Sequence, residues 1–236
     1  MKRILVTSVM LSLLTLGSVF AADLPSADQA PVLKGPVAAP GFSWSGFYVG
    51  ADAGWVNSSA HAVDLSGADP SFASDVNGGT IGLLAGYNFQ YNNLVFGLEG
   101  DGSLMSGTGT KFPADASGTT TMHSREDAAG HLRVRLGYAS GPALFYVAGG
   151  LSLADEKLSL TNPGSTAVAI TKTMSGYNVG AGAEYAFTPN WLGRIEYIHD
   201  EFGSRFFGYN ALNPFYDNRS VTLRDDLVRA ALIYKF

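Results

Sequence analysis

Between Phe42 and the C-terminus the chain alternates apolar with small or polar residues in eight separate segments. They run from about Phe47 to Trp55, Ile81 to Gln90, Leu94 to Ser103, Asp127 to Tyr138, Ala143 to Ala154, Thr173 to Tyr185, Trp191 to His199 and Arg224 to Phe236. A period of two puts every second side chain on one face of a strand. Each segment is close to the roughly ten residues that a tilted strand needs to cross a bilayer. The connections sort themselves into two kinds. Tyr91-Asn92-Asn93, Ala139 to Pro142 and Ala186 to Asn190 are short, whereas Val56–Gly79, Leu104–Glu126, Glu156–Lys172 and Asp200–Leu223 are long. Short and long alternate strictly along the chain. The pattern predicts an all-β fold, an eight-stranded antiparallel up-and-down transmembrane β-barrel with short periplasmic turns and four long extracellular loops.

Charge decides which face is which. Asp52, Glu99, Asp101, Arg133, Arg135, Glu184, Arg194, Glu196, Arg229 and Lys235 share one parity with most strand glycines. The other parity carries Leu, Val, Ile, Ala, Phe, Tyr and Trp. A soluble lipocalin-like barrel would turn the charged face to water and wrap the apolar face around a ligand. A membrane barrel would turn the apolar face to lipid. Glycines on the charged face favour the membrane barrel, because eight strands enclose a narrow interior. So do the aromatics Phe47, Tyr87, Phe89, Tyr138, Phe145, Tyr185, Phe187, Trp191, Tyr234 and Phe236, which gather near the short-turn end as an interfacial girdle.

The charged set then becomes the candidate site. Asp52, Glu99, Asp101, Glu184 and Glu196 are expected to pair inside the barrel with Arg133, Arg135, Arg194 and Arg229, forming a polar plug. An unpaired charge in so confined a space costs several kcal/mol, and near-equal numbers of the two signs are what a closed interior requires. Glu184 and Arg194 lie symmetrically about Pro189, so a hairpin centred there sets them opposite each other. His131 shares the parity of Arg133 and is read as a further plug member. The competing reading is a weak or gated pore lined by the same charges.

Composition narrows the classes further. Only 15% of the residues are charged, the net charge is −5, and no cysteine is present among the 236 residues. The acidic balance argues against a nucleic-acid partner, and the lack of cysteine excludes disulfides and thiolate metal sites. At the N-terminus, Met1-Lys2-Arg3 precedes an apolar stretch from Ile4 to Phe20, and Val19 and Ala21 offer the small residues that a signal peptidase reads. Residues 1–21 are therefore expected to be a cleaved signal peptide and 22–41, with Pro25, Pro31, Pro36 and Pro40, a periplasmic tether. Residues 42–236 form the expected barrel, in a Gram-negative outer membrane.

Several segments also resemble the small outer-membrane barrels of alphaproteobacteria, the major outer-membrane antigens and hemin-binding proteins grouped with OmpA-like barrels. Phe42-Ser43-Trp44-Ser45-Gly46-Phe47-Tyr48-Val49-Gly50 is similar to their opening strand. Gly97 to Asp101, Arg133 to Tyr138 and Tyr146 to Gly150 are similar to their middle strands, and Gly180 to Tyr185 with Asn190-Trp191 and Arg194 to Tyr197 to the sixth and seventh. Val228 to Phe236 resembles the terminal strand whose last aromatic, here Phe236, is the signal read by the barrel-assembly machinery. The resemblance implies outer-membrane lipids and lipopolysaccharide as surroundings, a structural role, and exposure of the loops to host or surface ligands. It implies no catalytic site and no resident cofactor or metal. Hemin is the one cofactor it brings into view, with the loop residues His61, His123, Tyr209 and Tyr216 as candidate ligands. His199 with Glu201 resembles the placement seen in barrels that modify lipid A, but no serine adjoins them in sequence.

Overall fold

The computed structural model describes residues 42–64, 72–106, 112–113, 121–161, 168–207 and 219–236. The expected signal peptide and tether, and Tyr209 and Tyr216, lie outside these residues. So does the His123 side chain.

The strands are β1 (Gly46–Asp64), β2 (Phe72–Tyr91), β3 (Leu94–Met105), β4 (Phe112–Pro113), β5 (Thr121–Ser140), β6 (Ala143–Thr161), β7 (Val168–Ala186), β8 (Trp191–Phe207) and β9 (Arg219–Lys235). β4 is a two-residue addition that pairs with β5 at Phe112 and Met122. The other eight pair antiparallel with their neighbours in chain order, β1 pairs with β9, and β3 pairs with β5. The sheet is closed, so it has no free edge. At the seam the Phe236 amide donates to the Phe47 carbonyl at 3.0 Å.

The short turns match the connections read from sequence. Asn92 in one and Gly141 in another take positive φ (53° and 59°), which lets the chain reverse within two residues. The long connections differ from expectation. β1 runs on to Asp64 and β2 starts at Phe72, so most of Val56–Gly79 is strand. Likewise β6 reaches Thr161, β7 starts at Val168, and β5 starts at Thr121. Beyond the lipid these hairpin arms still hydrogen-bond to each other, as in the register from Asn57↔Asn77 to Ala62↔Phe72. Without lipid on one face they need no apolar alternation, which hid them from a reading based on period. Register slips between Glu126 and Ala128 and between Phe202 and Arg205 fall in these outer arms.

The outward face is apolar and bare: Leu83 and Val134 are 70% and 65% exposed, and Ile81, Leu132, Val147, Leu151, Ile195 and Val228 behave alike. At the short-turn end exposed aromatics pack edge to face, Phe47 on Tyr87, Trp191 on Tyr234 and Tyr234 on Phe236. Toward the loop end the continuous apolar band thins past Trp55, Tyr177 and Tyr197, where Asn57, Asn77 and Asp226 face outward. The inward face carries apolar layers as well as the charges expected from the sequence. Trp44, Tyr48, Leu84, Val95, Leu144, Tyr146, Leu192 and Ile233 form one buried apolar cluster at the short-turn end. Val56, Met105, Met174, Ile198, Phe202, Leu223 and Leu227 form a second toward the loops. Glu99, Arg133, Arg135, Glu184, Arg194, Glu196 and Arg229 lie between the two.

Candidate functional site

Strand parity alone puts the charged side chains inside. What it leaves open is which acid meets which base, because the contacts run across the lumen as well as along the sheet. Glu99, on β3, is the hub. Its carboxylate takes Nη1 and Nη2 of Arg194 at 3.0 and 2.6 Å and Nη1 of Arg135 at 3.2 Å. Arg133 Nη2 reaches it at 2.5 Å, and the Tyr48 hydroxyl donates to it at 2.8 Å. Glu196 on β8 gathers a second group. Arg133 Nη1 and Arg229 Nε each reach it at 2.9 Å, and the Tyr146 hydroxyl donates at 2.8 Å. Glu184 and Arg194 are register partners on β7 and β8, with Nε to Oε1 at 2.9 Å, and Arg135 Nη2 also bonds Glu184. Side chains of Glu99, Arg133, Arg194, Glu196 and Arg229 are fully shielded from solvent.

Two tyrosines brace this layer. The Arg135 guanidinium lies 3.9 Å from the centre of the Tyr146 ring, a cation–π stack inside the barrel. Tyr48 and Tyr146 lean over Gly86 and Gly182 on adjoining strands, where any Cβ would meet their hydroxyl ends. Glycine is required at both places by close approach. The tyrosines themselves were missed from sequence, although Tyr48 has the lumen parity of Asp52.

On the loop side the network continues through Asp101. Arg229 Nη1 bonds it at 2.9 Å and His131 Nδ1 at 2.7 Å. The other ring nitrogen of His131 is 3.1 Å from Asp200, which also accepts from Ser152. Carboxylates at both ring nitrogens suit a doubly protonated imidazole. Asn178 Nδ2 donates to Ser152 Oγ at 2.8 Å. Asp200, Ser152 and Asn178 did not figure in the candidate set, Asp200 having been read as the start of a loop. Asp52 sits at the edge. Its nearest cation is Arg229 Nη1 at 3.7 Å, and neither of its oxygens receives a hydrogen bond. Lys235 is placed at the short-turn mouth, where Nζ donates to the Ser45 carbonyl at 3.2 Å and stands over the Phe42 ring.

Phe42–Ser45 do not extend β1 but pass beneath the barrel. The Trp44 ring is wholly buried there, its Nε1 donating to the Gly141 carbonyl at 3.3 Å and its backbone amide to Gln90 Oε1 at 2.7 Å. His61 is exposed on the outer arm of β1. His199 faces outward and bonds Asp226 at 2.7 Å, not Glu201. Glu201 accepts from the Tyr177 hydroxyl at 2.6 Å and from Arg224 at 3.2 Å. No group of three or more metal-ligating His, Asp or Glu side chains occurs among the described residues. Phe236 is exposed on the aromatic rim.

Known proteins are similar to this chain along most of its length. The chain is 33% identical to the 31 kDa outer-membrane immunogenic protein of Brucella melitensis biotype 1, covering 100% of both chains. It is 29% identical to the 25 kDa outer-membrane immunogenic protein of Brucella abortus biovar 1, over 92% of this chain and 90% of that one. The 22 kDa outer membrane protein of Rhizobium leguminosarum bv. viciae is 29% identical, with 94% and 97% covered. Those names, the closed barrel and its bare apolar belt together locate the protein in the outer membrane. The model of the outer membrane protein beta-barrel domain matches residues 14–227, and the chain belongs to that family.

Proposed function

We propose that this protein is a structural outer-membrane barrel that displays its loop-end hairpins to the surroundings and conducts little or nothing through its lumen. The observation that carries the reading is the layering of the interior. Four guanidiniums interlock with Glu99, Glu184 and Glu196 at full burial, and an apolar layer lies on either side. An ion crossing such a lumen must break several buried pairs, each costly to open, and then pass the apolar side chains packed on either side. Export through a cleaved signal at residues 1–21 and a periplasmic tether at 22–41 fit this role, as does Phe236 as the assembly signal. Lipopolysaccharide and outer-membrane lipid would then be the immediate surroundings of the belt, and any host or surface ligand would meet the loops. The named relatives are immunogenic outer-membrane proteins, which fits surface display.

The test is conductance in planar bilayers. Refolded wild-type protein should show baseline current with rare, brief openings. Steady large conductance overturns the closed-lumen reading and makes the charged layer the lining of a path.

A further inference from the structure

The buried network is not balanced. Among the described residues it joins six carboxylates (Asp52, Glu99, Asp101, Glu184, Glu196 and Asp200) to Arg133, Arg135, Arg194, Arg229 and His131. Even with His131 counted as a cation, these carboxylates outnumber the cations joined to them, and Asp225, the register partner of Asp200, is a further buried carboxylate. Asp52 is the carboxylate served worst: its nearest guanidinium, on Arg229, is committed to Asp101 at 2.9 Å and to Glu196 at 2.8 Å. Isolated carboxylates do not stay buried and uncompensated, since desolvation of the charge costs several kcal/mol.

The surroundings of Asp52 point to what compensates it. Its strand partner on β2 is Gly82, and Gly82 in turn pairs with Ser103 on β3. Gly82 contributes no side chain of its own to the middle of that row. A Cβ at Gly82 would lie 2.9 and 3.0 Å from the two Asp52 oxygens, so the carboxylate leans over the glycine. Thr80, two residues along the same inward face, and Ser103 are both buried, and neither hydroxyl oxygen has a hydrogen-bond partner. Hence the carboxylate and two hydroxyls, all more than nine-tenths buried, stand on the inward face around Gly82. Every one of these groups offers oxygen, and Asp52 is the one carboxylate among them.

We propose that Asp52, Thr80 and Ser103 bind a monovalent alkali cation, of which sodium is the one tested, as the counter-charge of the lumen network. Oxygen-only donors suit hard cations, and one carboxylate with two neutral hydroxyls suits a single positive charge better than two. The cation acts as a structural part of the plug. It enters as the barrel closes, because the apolar layers flank the site on both sides. The proposal rests on the closed lumen proposed above. A conducting wild type would sink that reading, whereas loss of the sodium effect in a non-conducting barrel sinks only this one.

The test is equilibrium urea unfolding of the full barrel in detergent, refolded at constant ionic strength with sodium replaced stepwise by choline. A single saturable site on the folded state predicts that each tenfold rise in sodium above its dissociation constant lowers the unfolding equilibrium constant about tenfold. Asp52→Asn should remove that slope whatever its own stability. If Asp52→Asn does not fold, Thr80→Val and Ser103→Ala serve instead, and each should shift the response to higher sodium. A flat response in wild type, or an unchanged slope in Asp52→Asn, overturns the proposal. So does stability that ignores sodium and rises only with acid, which would mean that Asp52 carries a proton and no cation.

Discussion

Glu99 has more charged neighbours than any other carboxylate in the network, touching Arg133, Arg135, Arg194 and, at 3.9 Å, Arg229. Its replacement should therefore be the costliest change of a carboxylate in the layer. Glu99→Leu strands several buried guanidiniums at once, and a loss of about 3–5 kcal/mol in urea unfolding is expected. Glu184→Gln should cost less, because Arg194 keeps both of its bonds to Glu99. Glu201→Gln at the outer rim breaks an exposed pair with Arg224 and should leave unfolding almost unchanged. Equal losses from Glu99→Leu and Glu201→Gln would show that the interior is wet. The shared inward parity of Asp52, Glu99, Arg133 and their fellows was legible in the sequence, although Asp200 was not among them. The pairing was not. Glu184 and Arg194 are neighbours through a hairpin, but Glu99 and Arg194 meet across the lumen, 95 residues apart in sequence. Strand alternation carries no information on that distance. Tyr48, Tyr146 and Trp44 escaped for a related reason, because an inward aromatic looks like any other aromatic until the width of the barrel is known.

Each long strand has two physical zones. In the inner zone lipid faces one side and the lumen the other, which forces the alternation that made Ile81–Gln90 or Arg133–Tyr138 readable. In the outer zone both sides meet water or neighbouring arms, and the pairing from Asn57↔Asn77 outward is held by backbone bonds with little help from pattern. That is why the eight strands and their order could be read but their outer ends could not. The boundary between the zones is testable. Val134 faces outward in the middle of β5, opposite Leu98 on β3 and Gly149 on β6. Val134→Arg should cost about 2–4 kcal/mol when folding is measured into lipid vesicles. Asn77→Arg, also outward but where the apolar band has thinned, should cost little. Comparable penalties at both positions would move the bilayer boundary outward along the arms.

For the molecule as a whole, closure depends on layers in series, and the layers do different work. The apolar cluster at the short-turn end rests on Trp44, carried in by a segment that crosses beneath the barrel instead of joining β1. Removing its ring leaves a cavity beside Leu144, Leu192 and Ile233. Trp44→Ala should therefore destabilise the barrel by about 3–5 kcal/mol. It should not make a pore, since an ion entering from that end still meets Arg135, Arg194 and Glu99 locked together above it. The ionic layer is the tighter barrier for a charge, because passage there means separating buried pairs. Conductance should accordingly stay at baseline in Trp44→Ala and rise when Glu99→Leu is added, even though Trp44→Ala alone already has a large effect on unfolding. Stability and conductance would then respond to different residues, as expected if packing holds the barrel together and ion pairs shut it. Steady current from Trp44→Ala alone would reverse that division and make the indole the gate.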